Sequence, residues 1–249
     1  MWRTWAASSA SSCKARTRLY IFSYLSFSIC YFILLPMSAM TSNKYVKYTS
    51  YERFMIGVYR DLDKVIKREL EKLRLEDLNP TCAEGCSFCC RQKIPLTLPE
   101  AHILAQYIKR NFSGEQKDEF RKRMSAWFDW VRHELPKYGN TKEDEKAAFY
   151  DHSPYCPLLV DGKCSTYPVR PFACRTHYSS SSLDNCRSFF AVRNAPDERT
   201  MLHTIRNASI PFASSILQSI KAQGVNAVET TGLLPQGLAI ELGWKDLVP

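Results

Sequence analysis

YERFMIGVYRDLDKVIKRELEKLRLEDL, residues 51–78, decides the fold. Its apolar residues Phe54, Val58, Leu62, Val65, Ile66, Leu70 and Leu73 recur mostly at three and four, with charged residues between them. That spacing is the period of an amphipathic helix, here of about seven turns, and Pro80 stops it. Downstream, Thr97-Leu98-Pro99-Glu100 reads as a capping box with proline in the first turn, opening a helix through Ile103, Leu104, Tyr107 and Ile108. Ser113 caps another, whose stripe of Phe120, Met124, Trp127, Trp130, Val131 and Leu135 reads as core. Helical character returns at Pro196–Asn207 and Ile210–Gln223, while the tail after Gly224 carries little signal. The expected fold is mainly α: one helical domain over residues 41–249, interrupted by an irregular, cysteine-rich loop region that a metal organises.

Residues 1–40 stand apart. Arg3, Lys14, Arg16 and Arg18 precede the apolar run Leu19–Leu35, and the first acidic residue is Glu52. The run is short for a spanning helix and suits a signal segment or an anchor. Its Arg- and Ser-rich, acid-free start also fits an organelle transit peptide, and a working start at Met37 or Met40 is a further reading. Reduced thiolates favour that last reading and a cytoplasmic location. A membrane is a partner only if this segment is retained.

The formal charge of +9 resembles a nucleic-acid footprint, but four of the 34 basic residues lie in the leader. Without them, 30 basic residues face 25 acidic ones, leaving +5. Most of the remainder alternate with Asp and Glu, as in Arg68-Glu69-Leu70-Glu71-Lys72, which reads as a solvated helix face and not as a nucleic-acid site. No Gly-rich phosphate loop, nucleophile elbow or internal repeat is visible. Hydrophobic residues make up 45% of the chain, enough for a core without disulfides.

The chemistry lies in the cysteines. Eight of the ten fall into two groups: Cys82, Cys86, Cys89 and Cys90 within nine residues, then Cys156, Cys164, Cys174 and Cys186. Such a sulfur-rich set suits zinc or an iron–sulfur cluster, a [4Fe–4S] centre included, far better than apolar packing. Were the first group helical from Cys82, its four sulfurs would share one face. Gly85 can instead break the turn and let the backbone wrap a cluster while donating amides to sulfur. Cys89 and Cys90, about 100° apart on a helix, cannot be equivalent ligands. In the second group Asp161-Gly162 marks a tight turn that returns Cys164 towards Cys156. From Asp151 to Cys186 the chain is otherwise short, proline-punctuated loops, which need something besides a hydrophobic face to order them.

The combination of C-x3-C-x2-C-C with Cys156-Pro157-Leu158, Cys164-Ser165-Thr166-Tyr167, Arg170-Pro171 and Cys174-Arg175 resembles the YkgJ-type CxxCxxCC cysteine-cluster family, a zinc- or iron-chelating domain. The match runs from Thr81 to Arg175, and the first gap holds three residues where the family name implies two. The resemblance implies metal chelation. A related subset implies a lysine methylase that needs an iron–sulfur cluster, and this is the enzymatic alternative. A third reading, an exported protein stapled by disulfides, suits the even count of eight, but the vicinal Cys89 and Cys90 make pairing strained.

Spacing leaves open whether one centre draws sulfurs from both groups or each group builds its own; at least one shared centre is expected, closing the chain back on itself. His177, three residues beyond Cys174, is a candidate fourth ligand or an exposed loop residue. Arg170 and Arg175 are candidates to neutralise an anionic cluster from its outer shell, or to buttress the loop through nearby carbonyls. Tyr167 either donates to a sulfur or packs. His152 is a weaker ligand candidate, and His102, His133 and His203 read as helix-surface or packing residues.

Overall fold

Helix α1 (Tyr51–Leu75) opens the computed structural model, which describes residues 51–83, 85–139, 141, 144, 148–149, 153–191, 202–222, 224 and 231–248. The leader 1–40, His152 and the beginning of the helix expected from Pro196 fall outside the described residues. α1 stops short of the expected Leu78 because Asp77 adopts the left-handed conformation, φ 57°. The Leu78 N–H then bonds Leu73 O at 2.8 Å and the Asp77 N–H bonds Arg74 O at 3.2 Å, a Schellman ending in which an aspartate stands where glycine is usual. Asp77→Gly is therefore expected to stabilise the fold by roughly 0.5–1 kcal/mol, read as a higher urea midpoint at unchanged slope.

Helices α2 (Leu98–Asn111) and α3 (Gly114–His133) start where the capping boxes place them. At α3 the Gln116 N–H donates to Ser113 Oγ at 3.2 Å and the Ser113 N–H to Gln116 Oε1 at 2.8 Å. Phe120, Met124, Trp127, Phe128 and Trp130 of α3 are buried, and Trp130 meets Phe149 edge-on at 5.0 Å.

The tail that carries little sequence signal completes the main core. Strand β4 (Thr231–Leu233) pairs antiparallel with β1 (Pro95–Thr97), Leu96 opposite Gly232, and each strand runs directly into a helix with proline in its first turn. The helix after β4, α7 (Leu234–Leu242), lies against α2 closely enough that a Cβ on Gly237 would sit 3.1 Å from Leu96 and 3.2 Å from Ala101. Leu234, Leu238, Ala239 and Leu247 thereby join Leu104, Ile108, Phe120 and Met124 in one cluster. The nine residues of α7 are too few to show a clear period by themselves.

Between them lie strands β2 (Leu159–Val160) and β3 (Lys163–Cys164), the one-turn helix α4 (Phe172–Arg175), α5 (Leu183–Ala191) and α6 (His203–Lys221). α6 passes through Pro211 without a break, where two helices were expected. Proline removes one helical hydrogen bond, but Ile205, Ile216 and Ile220 are buried against α1 on both sides of it, so packing holds the helix together. The protein is mainly α, with seven helices among the described residues. None of the helices among the described residues is long and apolar enough to cross a membrane.

Candidate metal centre

Local backbone geometry sets the first cysteine group. Gly85, at φ 91°, cannot continue a helix, so Cys82 and Cys86 lie on irregular chain and a 3-10 turn, Phe88–Arg91, carries Cys89 and Cys90. The helix from Cys82 is thus not formed; the glycine break is. In a 3-10 turn neighbouring side chains diverge by about 120°, which separates the vicinal pair further than an α-helix would.

The second group comes to meet it. Asp161 (φ 49°) and Gly162 (φ 75°) form the tight turn between β2 and β3, where Leu159 faces Cys164 and Val160 faces Lys163. Two left-handed residues in succession suit a type I′ hairpin, whose twist matches its strands. The Cys156 N–H donates to Cys90 O at 2.7 Å, and the Ser153 hydroxyl donates to Arg91 O at 3.2 Å. A Cβ on Gly162 would lie 3.7 Å from Gly85 O, so the hairpin tip rests on the glycine that breaks the first group.

A third segment, the serine run 179–182, is more than a loop. The Thr81 N–H donates to Ser179 O at 2.9 Å, the Thr81 hydroxyl to Ser181 O at 2.6 Å, and the Ser179 N–H to Cys82 Sγ at 3.2 Å. Ser182 then caps α5, accepting the Asn185 N–H at 3.1 Å, and α5 carries the buried Cys186 to the 3-10 turn. The pattern Ser182-x-x-Asn185 is a readable helix start. Nothing local marks Ser179 and Ser181 as the clamp on Cys82, because their partners lie about a hundred residues away.

The thiols form two electrostatically coupled sets joined at Cys89. Burial pushes Cys82 up to about 11 against the Ser179 amide, and charge on Cys86, Cys89 or Cys186 raises it further. Burial likewise raises Cys86, which the Phe88 amide offsets and Cys89 and Cys186 reinforce. In the other set burial pushes Cys156 up to about 12, with Cys164 and Cys89 adding to it and the Leu158 amide and Arg123 opposing. Cys174 is raised well above the usual thiol range by burial and by Cys156, Cys89 and Cys164, while Arg170 pulls it down. Cys89 is raised first by its hydrogen bond with Cys90 and next by burial. All eight described cysteines are free thiols.

The arginines divide. The Arg175 side chain is buried, its Nη1 2.6 and 2.7 Å from the two Asp63 oxygens, with Nη2 donating to Pro168 O at 2.6 Å and Nε to Arg170 O at 3.2 Å. It stacks at 4.3 Å on the Tyr59 ring, so it buttresses the loop and ties it to α1. Arg170 stacks on Tyr167 at 3.9 Å and lowers both Cys89 and Cys174, while its buried Nε has no hydrogen-bond partner among the described residues. Tyr167 is half-exposed and packs on that guanidinium.

Glu100 holds this assembly to the helices. Its buried Oε1 accepts the Tyr59 hydroxyl at 3.1 Å and the Phe172 N–H at 2.8 Å, and its Oε2 accepts the Thr97 N–H at 3.0 Å and hydroxyl at 2.8 Å. Phe172 begins α4, two residues before Cys174, so one carboxylate links α1, α2 and a candidate ligand turn. Burial and the adjacent Glu100 charge push the Tyr59 hydroxyl well above its ordinary range.

His177 lines an open cleft of about 340 Å³ that also exposes Cys89 and Cys174, and its Nε2 lies 3.4 Å from Gln92 Nε2. His102 is a packing residue, its Nδ1 3.0 Å from Glu241 Oε2. His203 is an exposed residue at the start of α6, as a helix-surface histidine, and lines the same cleft as His177.

Among the described residues, no three His, Cys, Asp or Glu side chains converge to hold a metal ion. The donor set fits a soft thiophilic metal all the same. It combines soft sulfur, backbone amides on Cys82, Cys86 and Cys156, and an arginine whose orphaned Nε and positive charge suit an anionic centre. Compared with known proteins, the chain matches no family model, no curated protein and no solved structure.

Proposed function

We propose that this protein binds zinc or iron, the latter as an iron–sulfur cluster, through Cys82, Cys86, Cys89 and Cys186 on one side and Cys89, Cys156, Cys164 and Cys174 on the other, in a reducing compartment such as the cytoplasm. The observation that carries the reading is geometric: the Cys156 N–H bonds Cys90 O at 2.7 Å and the Ser179 N–H bonds Cys82 Sγ at 3.2 Å, so both cysteine groups and the serine run meet, and burial raises the Cys82, Cys156 and Cys174 thiols there. A divalent cation inverts that balance, stabilising the thiolates it binds and releasing their protons. The influence of Cys89 on both Cys156 and Cys174 supports a centre shared between the two sequence groups. The metal links segments some 66 residues apart, from Cys90 to Cys156, so its binding energy is also folding energy.

Lysine methylation, the enzymatic alternative that the sequence resemblance implies, draws no support from the cleft beside Cys89 and Cys174. The cleft's lining includes Lys93 and Arg206 together with His177 and His203, and no aspartate or glutamate among the described residues that would pair a lysine substrate. Disulfide pairing draws none from eight free thiols.

The test is metal and acid-labile sulfide analysis, with an optical spectrum, of the full chain purified without oxygen. Iron with sulfide and broad visible absorption supports a cluster; zinc in a colourless protein supports a thiolate zinc site. Neither metal, together with no titratable thiols, overturns the proposal.

A further inference from the structure

Arg175 follows Cys174 directly, and its burial calls for a physical reason. Its side chain is 3% exposed, while that of Asp63 on α1, the carboxylate that balances it, is 51% exposed. A buried ion pair is weak evidence for stability, because apolar side chains of similar volume often hold a core as well or better; what the arginine fork supplies is a fixed geometry. The geometry it fixes is that of the loop. Nη1 reaches both Asp63 oxygens, at 2.6 and 2.7 Å, while Nη2 gathers Pro168 O at 2.6 Å and Nε gathers Arg170 O at 3.2 Å. The Arg175 N–H closes the turn on Pro171 O at 2.8 Å. Residues 168–175 are thus wrapped around one side chain, and that side chain is fastened to α1.

The other end of the turn is tied to α1 as well. Tyr59, one helical turn before Asp63 and on the same face, stacks on the guanidinium at 4.3 Å. Its hydroxyl donates to Glu100 Oε1, which also accepts the Phe172 N–H. Leu62 and Ile66 of α1 belong to the buried cluster against which Phe172 and Tyr178 pack. Cys174 therefore sits on a four-residue helix, Phe172–Arg175, that is linked to α1 on both sides of the cysteine, whereas Cys82 is held by Ser179 and Cys156 by the backbone of Cys90.

We propose, on the metal-binding reading above, that α1 and the Cys174 turn form one metal-responsive unit: Arg175 is a positioning residue that through Asp63 sets where Cys174 meets the metal, and metal occupancy in turn tightens α1 on the loop. Groups that orient a ligand without touching the metal are worth about 10–100-fold in affinity. Linkage makes the coupling reciprocal, so whatever factor the Asp63–Arg175 contact contributes to metal affinity, bound metal returns to that contact. A disturbance of α1 is felt at Cys174, and loss of metal is felt at α1.

The experiment titrates zinc(II) and, separately, iron(II) into the reduced, metal-free full chain, without oxygen and in competition with a chromogenic chelator. Although Asp63 contributes no ligand, Asp63→Ala is expected to weaken metal binding at least about tenfold, equal to about 1.4 kcal/mol. Asp61→Ala, which removes a carboxylate of similar exposure from the same helix, is expected to leave it unchanged. Asp63→Asn, which keeps an acceptor of the same shape, takes its place if the alanine variant shows altered circular dichroism. Hydrogen exchange reads the reverse direction: metal is expected to slow amide exchange across residues 59–66 in the wild type and to slow it less in the Asp63 variant. A lowered urea midpoint of the metal-free protein with wild-type metal affinity reduces the contact to a structural brace and overturns the inference, as does metal-induced protection of residues 59–66 that is the same with and without Asp63. A wild type that binds neither metal removes the metal-binding reading itself, so the two failures are told apart.

Discussion

On the proposed metal-binding reading, replacing Cys89 by serine is expected to abolish metal binding. Cys89 is coupled to members of both sets: its charge raises Cys82 and Cys86 and also Cys156 and Cys174. Serine matches the shape, but its hydroxyl stays protonated and offers hard oxygen in place of soft sulfur. Removing groups that only support a ligand costs about 10–100-fold in metal affinity, so loss of the ligand itself is expected to cost at least about 100-fold. Cys90→Ser is the internal comparison. Its sulfur hydrogen-bonds Cys89, and its carbonyl, which accepts the Cys156 N–H, belongs to the backbone and survives the substitution. Cys90→Ser is therefore expected to hold metal better than Cys89→Ser, with metal per chain as the readout. Full metal in Cys89→Ser, or equal loss in the two variants, would sink the role given to Cys89.

Glu100→Ala carries the largest expected effect on folding. The glutamate is 4% exposed and accepts four hydrogen bonds from three elements. Truncation orphans the Tyr59 hydroxyl and the Phe172 N–H in the interior, at about 1–3 kcal/mol each, and opens the capping box of α2, at about 1 kcal/mol. A total near 3–5 kcal/mol is a large share of the roughly 5–15 kcal/mol that holds a domain folded. Glu100→Gln keeps an acceptor for Phe172 but places an amide against the Thr97 donors, so an intermediate loss is expected. Urea unfolding of both variants measures the order. Because Phe172 starts the turn that presents Cys174, the alanine variant should also lose metal more readily at denaturant concentrations where it remains folded. Wild-type stability in Glu100→Ala would show that the network contributes nothing net.

These two residues mark the limits of what the chain discloses locally. Cys89 announces itself, because four cysteines in nine positions are hard to explain as packing. Glu100 announces only half its role: the capping box is visible in Thr97-Leu98-Pro99-Glu100, whereas its hold on Tyr59 and Phe172 spans 41 and 72 residues. Arg170 and Arg175 look alike as neighbours of cysteine in sequence. Their division of labour, one towards sulfur and one towards Asp63, follows from which side of the loop faces α1.

By itself the sequence determined the mainly helical fold, the starts of α2 and α3 and the hairpin at Asp161-Gly162, and it is the sequence that points to the eight cysteines. These are local properties, governed by period, capping and turn preference within a few residues. Only the tertiary structure decided that Cys82 is clamped by Ser179, that Cys156 is bonded to the backbone of Cys90, and that α7 completes the core. It also decided that His203 and Arg206 face a cleft with Cys89 and Cys174. Each of those contacts joins segments dozens of residues apart, and which surfaces meet is set by burying the apolar faces of α1, α2, α3, α6 and α7 together, a choice that no single window of sequence contains.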